Sequence, residues 1–454
     1  MNIEVFLKEI IMFGKKTRIV LLVSVLLMLA AFTVHAQDTV TIKYMLWDTN
    51  QQPAYQKCAD AFEQANPNIK ISISQLGWAD YWTAISTGFV SGDAPDVFTD
   101  HLAKYPQYVD LQQIVDIQPL VDQDKVPTDI YYPGLADLWV KDGKRYGLPK
   151  DWDTIAIVYN ADLLKAAGVD PKIMDTWTWN PTDGGTFQKT IAQLTIDKNG
   201  NNGLSPNFDP KNVKQYGFLG GTMGGPYGQT QWSWLTASNG WTFNNGLWGN
   251  KYNYDDPKFT STIQWYADLW LKHGFSPDLA AQNSLGQTAL FQNGNVAMTS
   301  DGDWQVGTYE GSKFPVGFGR LPTGPAGRMS MFNGLADSIW VGTQHMEESW
   351  QWVKFLASPA CEDIIGDAGV VFPAIPEATD RSLAAHKKAG IDVSAYTDQA
   401  NQKDGTFLFP ITEHADDINT IMTEAMDNVG LGKATAADSL PKANDEVNAL
   451  FSGS

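Results

Sequence analysis

Val40-Thr-Ile-Lys-Tyr-Met45 alternates apolar and polar side chains, Tyr55, Cys58, Phe62 and Ala65 then recur at helical spacing, and Ile69-Lys-Ile-Ser-Ile-Ser74 alternates again. This reads as strand, helix, strand. A second helix is predicted over 80–90, closed by Ser91-Gly92-Asp93, and leads into a third strand at Asp96-Val-Phe-Thr99. Strands alternating with helices predict a mostly parallel sheet, helices on both faces, and a ligand crevice at the carboxyl ends of the strands. The loops that follow those ends carry Trp47-Asp48, Trp78 and Asp100.

A second such run begins at Ile155-Ala-Ile-Val-Tyr-Asn160, with a helix from Ala161 to Gly168. Further helices start at Thr186, with Phe187, Ile191 and Leu194 on one face, and at Asp256-Pro257, an N-cap with proline in the first turn, running to Gly274. Residues 199–208 and 219–228 are rich in Gly, Asn and Pro and read as turns. The chain has 454 residues. At about 150 residues per domain, that allows two or three units, each with its own core.

The net charge of −19 and the lack of any Lys/Arg run argue against nucleic acid or an anionic membrane as partner. Two cysteines and six histidines argue against zinc–thiolate or iron–sulfur centres. No metal and no cofactor are expected. Lys15, Lys16 and Arg18 precede an apolar run over 19–34 that ends at Val34-His35-Ala36, so residues 1–36 read as a secretory signal peptide cleaved near Ala36. The run is short of the ~20 residues a membrane span needs. Initiation at Met12 would give a leader of more usual length. Cleavage removes four basic and two acidic residues, leaving 418 residues with a net charge of −21. In an oxidising compartment, Cys58 and Cys361 read either as one disulfide or as two buried thiols.

Catalytic motifs are scarce. The sequence has no G-x-S-x-G, no H-E-x-x-H and no phosphate-loop lysine. The glycines over 220–228 lack the Lys-Ser/Thr of a phosphate cradle and read as a loop, and Asp197-Lys-Asn-Gly-Asn lacks the Gly and Glu of a calcium loop. Asp48, Asp96, Asp100, Asp151, Asp153, Asp301 and Asp303 lie near predicted strand ends and keep a glycosidase reading open. Aromatic residues make up 12% of the chain, and many tryptophans adjoin acids or amides: Trp47-Asp48, Asp151-Trp152-Asp153, Gln231-Trp232-Ser-Trp234 and Asp301-Gly-Asp303-Trp304. A pyranose offers an apolar face for an indole and a rim of hydroxyls for carboxylates and amides, so this pairing suits a neutral sugar. For most of the seventeen tryptophans, core packing is the expected role.

The stretch Tyr146-Gly-Leu-Pro-Lys-Asp-Trp-Asp-Thr-Ile-Ala-Ile-Val-Tyr-Asn-Ala-Asp-Leu-Leu-Lys-Ala-Ala-Gly-Val169 resembles the hinge-crossing motif of the family 1 extracellular solute-binding proteins, the sugar receptors of ABC importers. Ala94-Pro-Asp-Val-Phe98, Ala289-Leu-Phe-Gln-Asn-Gly-Asn-Val-Ala-Met-Thr-Ser-Asp-Gly-Asp-Trp304 and Ser349-Trp-Gln-Trp-Val-Lys-Phe-Leu-Ala-Ser-Pro359 resemble three further blocks of that family, in the same order.

The resemblance implies a two-lobed α/β periplasmic-binding-protein fold with hinge-crossing segments and a ligand cleft between the lobes. Crossings are expected over 153–155 and 333–339. The first lobe would then take 37–152 and 337–405, and the second 153–336 and 406–454. That division places Cys58 and Cys361 in one lobe and favours the disulfide. Carried over to this sequence, the motifs imply Asp153 on sugar hydroxyls, Trp304 stacking, and Gly302 giving the backbone room. The strand-end reading adds Trp47, Trp78 and Asp100, with Trp232 or Trp234 as a second platform and Asn333 and Gly334 within reach of the cleft.

The expected protein is a periplasmic, monomeric, non-enzymatic receptor that delivers a neutral mono- or oligosaccharide to ABC permease subunits. The lipidation cysteine common in relatives is absent from the end of the leader. Glycerol phosphate or an amine on the same fold is the first alternative, with Arg320 and Arg328 as the candidate anion contacts, and a secreted glycosidase is the second.

Overall fold

The structure is a computed structural model and describes residues 39–452. The expected leader, its cleavage point and the alternative start at Met12 lie outside the described residues.

Alternation along Val40–Leu46 buries Ile42, Tyr44 and Leu46 on one side of the strand, and that strand pairs in parallel with Ile69–Gln75 and Val97–Asp100. Ala336–Ile339 returns antiparallel beside Val97–Asp100, and Leu148–Pro149 completes the five-stranded sheet. The helix Gln52–Ala65 starts with Pro53 in its first turn and buries Tyr55, Cys58 and Phe62. The helix Trp78–Ser91 ends at Gly92, whose φ of +74° closes the helix in the left-handed region without a Cβ clash.

The second lobe is built differently from the parallel unit its sequence suggests. Ile155–Asn160 lies between Met298–Gly302 and Val316–Gly319, antiparallel to both. The apolar run of this central strand records burial on both faces but carries no information about strand direction. The Asn160 side chain then caps the helix Ala161–Ala166 by accepting from the amides of Asp162 and Leu163. Asp256 caps Pro257–Leu271 in the same way.

Two adjacent segments, 150–154 and 333–335, pass between the sheets, and the chain returns to the second lobe between the helices Pro376–Ala389 and Ser394–Asn401. Within the adjacent pair, Asp153 and Asn333 form an antiparallel bridge, with N–H···O distances of 2.9 and 3.3 Å. Beside it Ser330–Phe332 pairs with Thr406–Leu408. The helix Ser394–Asn401, which the sequence boundaries assign to the first lobe, packs on Ile155–Asn160, Val316–Gly319 and Ser330–Phe332.

Trp232 and Trp234 are both fully buried in the second-lobe core, so neither provides a platform in the cleft. They sit at the start of the helix Ser233–Ser238, every residue of which is buried. The Trp232 indole packs against Trp241, Phe243 and Phe259 and donates to the Met223 carbonyl at 2.8 Å. Trp234 packs against Phe187 and Phe218. A Cβ on Gly228 would stand 2.1 Å from the Trp232 ring, so glycine makes room for that ring.

Cys58 and Cys361 form a disulfide between the helices Gln52–Ala65 and Pro359–Ala368, with Cα atoms 5.2 Å apart. Replacing both cysteines by serine should lower the unfolding free energy by about 2–4 kcal/mol, measured by denaturant titration against the oxidised wild type. Denatured, unreduced wild type should give no free thiol with a colorimetric reagent.

Candidate ligand-binding cleft

A cavity of about 640 Å³ opens between the two sheets, beside the crossing segments. One wall is aromatic. Trp47, after the first strand, meets Trp78, Tyr81 and Trp82 at ring-centroid distances of 5.1, 5.2 and 5.4 Å, and Trp78 remains 49% exposed. These edge and tilted contacts fix the Trp47 ring while leaving Trp78 an accessible face. Across the cavity, half-buried Trp304 follows the strand Met298–Gly302. A Cβ on Gly302 would lie 1.9 Å from the Trp304 ring, so the glycine accommodates that ring, and Gly302 does not itself line the cavity.

The crossing segments supply the polar part. Asp153 accepts from Asn333 Nδ2 at 2.8 Å and from Gln229 Nε2 at 3.0 Å. Asp151 accepts the Leu335 amide at 3.1 Å, and Asp303 accepts the Thr154 amide at 3.1 Å. Asp151 Oδ2, Asp303 Oδ2 and Asn333 Oδ1 are buried and have no hydrogen-bond partner among the described residues. Burial raises the Asp153 carboxyl to about 8 and the Asp151 carboxyl to about 7. Burial also pushes Asp303 well up, and its repulsion by Asp153 adds to the rise. His101 is driven down to about 3 by burial and is neutral, with Nδ1 accepting the Ala103 amide at 3.0 Å. Among the residues that line the cavity there is no Lys or Arg.

Of the ten residues expected at the site, Trp47, Trp78, Asp153, Trp304 and Asn333 line the cavity, and Asp100, Trp232, Trp234, Gly302 and Gly334 do not. Asp100 is fully buried and turned into the sheet, accepting from Ser338 Oγ at 3.0 Å and from the His101 amide at 2.8 Å. Strand alternation hands its place to the next residue, His101. Gly334 is packed beneath Leu135, whose Cδ2 would lie 2.7 Å from an added Cβ.

Sequence reasoning missed Tyr227, from the glycine-rich stretch read as a loop, Gln229 directly after that stretch, and Phe409, which arrives from far along the chain. The glycines there carry positive φ at 224, 225 and 228, and this folds the loop back onto the cleft. At the rim, Asn50 Nδ2 donates to Thr308 Oγ1 at 2.8 Å, joining the loop after the first strand to the helix Val306–Glu310 of the other lobe. Arg320 and Arg328 lie away from the cavity, bonded to Gln402 and to the Asp175 carbonyl.

Similar proteins agree with this architecture. A solved complex of the ABC substrate-binding protein Lmo0181 from Listeria monocytogenes with cycloalternan superposes with a TM-score of 0.78 at 20% identity, covering 91% of this chain and 99% of that one. The crystal structure of M. tuberculosis UspC gives 0.69 at 25% identity, covering 90% and 100%. By sequence, the maltodextrin-binding protein MdxE of Bacillus subtilis is 25% identical over 309 residues, covering 66% of this chain and 65% of that protein. The multiple sugar-binding protein of Streptococcus mutans is 24% identical over 344 residues, covering 71% and 72%. The sequence profile of the bacterial extracellular solute-binding proteins matches residues 47–360, well over half of the chain, and the protein belongs to that family.

Proposed function

We propose that the chain is the extracytoplasmic receptor of an ABC importer, acting as a monomer, and that its solute is a mono- or oligosaccharide without anionic groups. The observation that carries this reading is the pairing, in one interlobe cavity, of an accessible indole wall with buried acceptors that lack donors. Sugar C–H faces stack on Trp78 and Trp304, and sugar hydroxyls donate to Asp151, Asp303 and Asn333. Contacts from both lobes favour the closed arrangement, which the permease reads, and the solute leaves unaltered. Relatives named for maltodextrin and multiple-sugar binding support a saccharide. Among the described residues no helix is long and apolar enough to cross a membrane, as suits a receptor that hands its solute to separate permease subunits.

A phosphate-bearing solute fits poorly. Among the described residues, Arg145, Arg320 and Arg328 lie near the family motifs but are engaged elsewhere, and a phosphate would meet Asp48, Asp151, Asp153 and Asp303. The glycosidase alternative predicts product release, and intact recovery of a bound oligosaccharide after prolonged incubation would exclude it.

A saccharide at 100 times its dissociation constant should stabilise the protein by about 2.7 kcal/mol, seen as a rise in melting temperature across a sugar panel. Trp78→Ala and Trp304→Ala should each weaken binding about tenfold or more in calorimetric titration, with the fold intact. Trp232→Ala should instead destabilise the unliganded protein by about 3–5 kcal/mol.

The raised carboxyls also give a pH dependence. Between the ordinary carboxylate range and about 8, the folded protein holds protons on Asp153 and Asp151 that the unfolded chain has lost. Stability of the empty protein should therefore fall as pH rises from 5 to 8, each group contributing at most about 1.4 kcal/mol per pH unit. Asp153→Asn should flatten that slope in denaturant titrations at the two pH values.

A further inference from the structure

Three acids that repel one another line the cavity, whose lining holds no Lys or Arg and includes only the uncharged His101 as an imidazole. Asp151, Asp153 and Asp303 are 3%, 7% and 4% exposed, and Asp48 adds a fourth carboxylate to the lining. Lys150 immediately precedes Asp151 in the chain but is turned into the first-lobe sheet. Its ammonium donates to Tyr44 Oη at 2.9 Å, Thr99 Oγ1 at 3.0 Å and Asp337 Oδ1 at 3.2 Å, and it lies 4.0 Å from the Tyr55 ring centroid. It therefore reaches Asp151 through space alone.

The hydroxyls of an uncharged sugar would satisfy the free oxygens of Asp151, Asp303 and Asn333 but would leave the acids without a counter-charge when the cleft shuts over them. Each acid would then have to keep its proton. An ammonium provides both missing elements, three N–H donors and one positive charge. The indoles of Trp47, Trp78 and Trp304 add π-faces that attract a cation.

We propose that the sugar ring seated against Asp151, Asp153 and Asp303 carries a basic nitrogen, so that the solute is an amino sugar or an oligosaccharide containing one. This rests on the saccharide reading and narrows it, replacing the uncharged sugar expected from the sequence. The alkylammonium pairs with a carboxylate, and the proton that the acid gives up passes to solvent.

The test uses the wild-type protein and matched pairs of sugars, hydroxyl against free amine against N-acetyl, in the gluco, galacto and manno series as mono- and disaccharides. Titration calorimetry in two buffers of different ionisation heat reads affinity and proton release together. The expected result is at least one pair in which the amine binds tenfold or more tighter than both its hydroxyl and its N-acetyl partner, with net proton release at pH 7. Asp303→Asn should then reduce that preference at least tenfold, and a preference that survives the substitution overturns the assignment. If hydroxyl or N-acetyl sugars bind as well as the amines or better, the amine inference fails and the saccharide receptor stands. If no member of any series binds or shifts the melting temperature at 10 mM, the saccharide reading fails and the amine inference with it.

Discussion

The bridge between Asp153 and Asn333 joins two adjacent segments that pass between the lobes, and the same two residues face the cavity. Their backbones exchange two hydrogen bonds, and the Asn333 amide also holds the Asp153 carboxyl at 2.8 Å. The acid at the point of crossing is only 7% exposed, and that burial raises its proton affinity. The neighbouring Asp151 and Asp303 are buried beside it, held by backbone amides of 335 and 154. Crossing segments and cavity wall thus share residues. Any movement of one lobe against the other would alter the environment of these cavity-lining groups.

The two lobes bring different chemistry to that junction. The first contributes a packed set of rings, Trp47, Trp78, Tyr81 and Trp82, in which one indole is left half free. The second contributes Trp304 and the folded-back loop with Tyr227 and Gln229. Apolar faces are thus available on opposite sides of a polar floor, an arrangement that suits a flat, amphipathic guest more than a spherical ion.

The first lobe was legible because period-two alternation and helical spacing are local signals, and Val40–Leu46, Gln52–Ala65 and Ile69–Gln75 fall where those patterns begin and end. The antiparallel order of the second sheet was not legible, since Ile155–Asn160 is buried on both faces and its partners come from 298–302 and 316–319. For the cavity lining, the family motifs pointed to Asp153 and Trp304, and an acid or amide beside a tryptophan was the local pattern used elsewhere. That local pattern misled at Trp232 and Trp234, because a short helix with every residue buried looks in sequence like a polar–aromatic loop. Asp100 was misplaced by a single residue, which in a strand means the opposite face. His101 and Phe409 meet at a ring distance of 5.3 Å across more than 300 positions of chain, a contact no local pattern encodes.

The disulfide between Cys58 and Cys361 has a bearing on how the molecule is made. Its partners are 303 residues apart, and the whole central strand cluster of the other lobe is threaded between them. The early sulfhydryl must therefore wait, unpaired, while most of the polypeptide emerges, and there is no second cysteine nearby with which it could mispair. Formation of the bond marks the moment at which the interrupted lobe has received its late-arriving helix. From then on an oxidising compartment retains a record of completed assembly that a reducing one would erase.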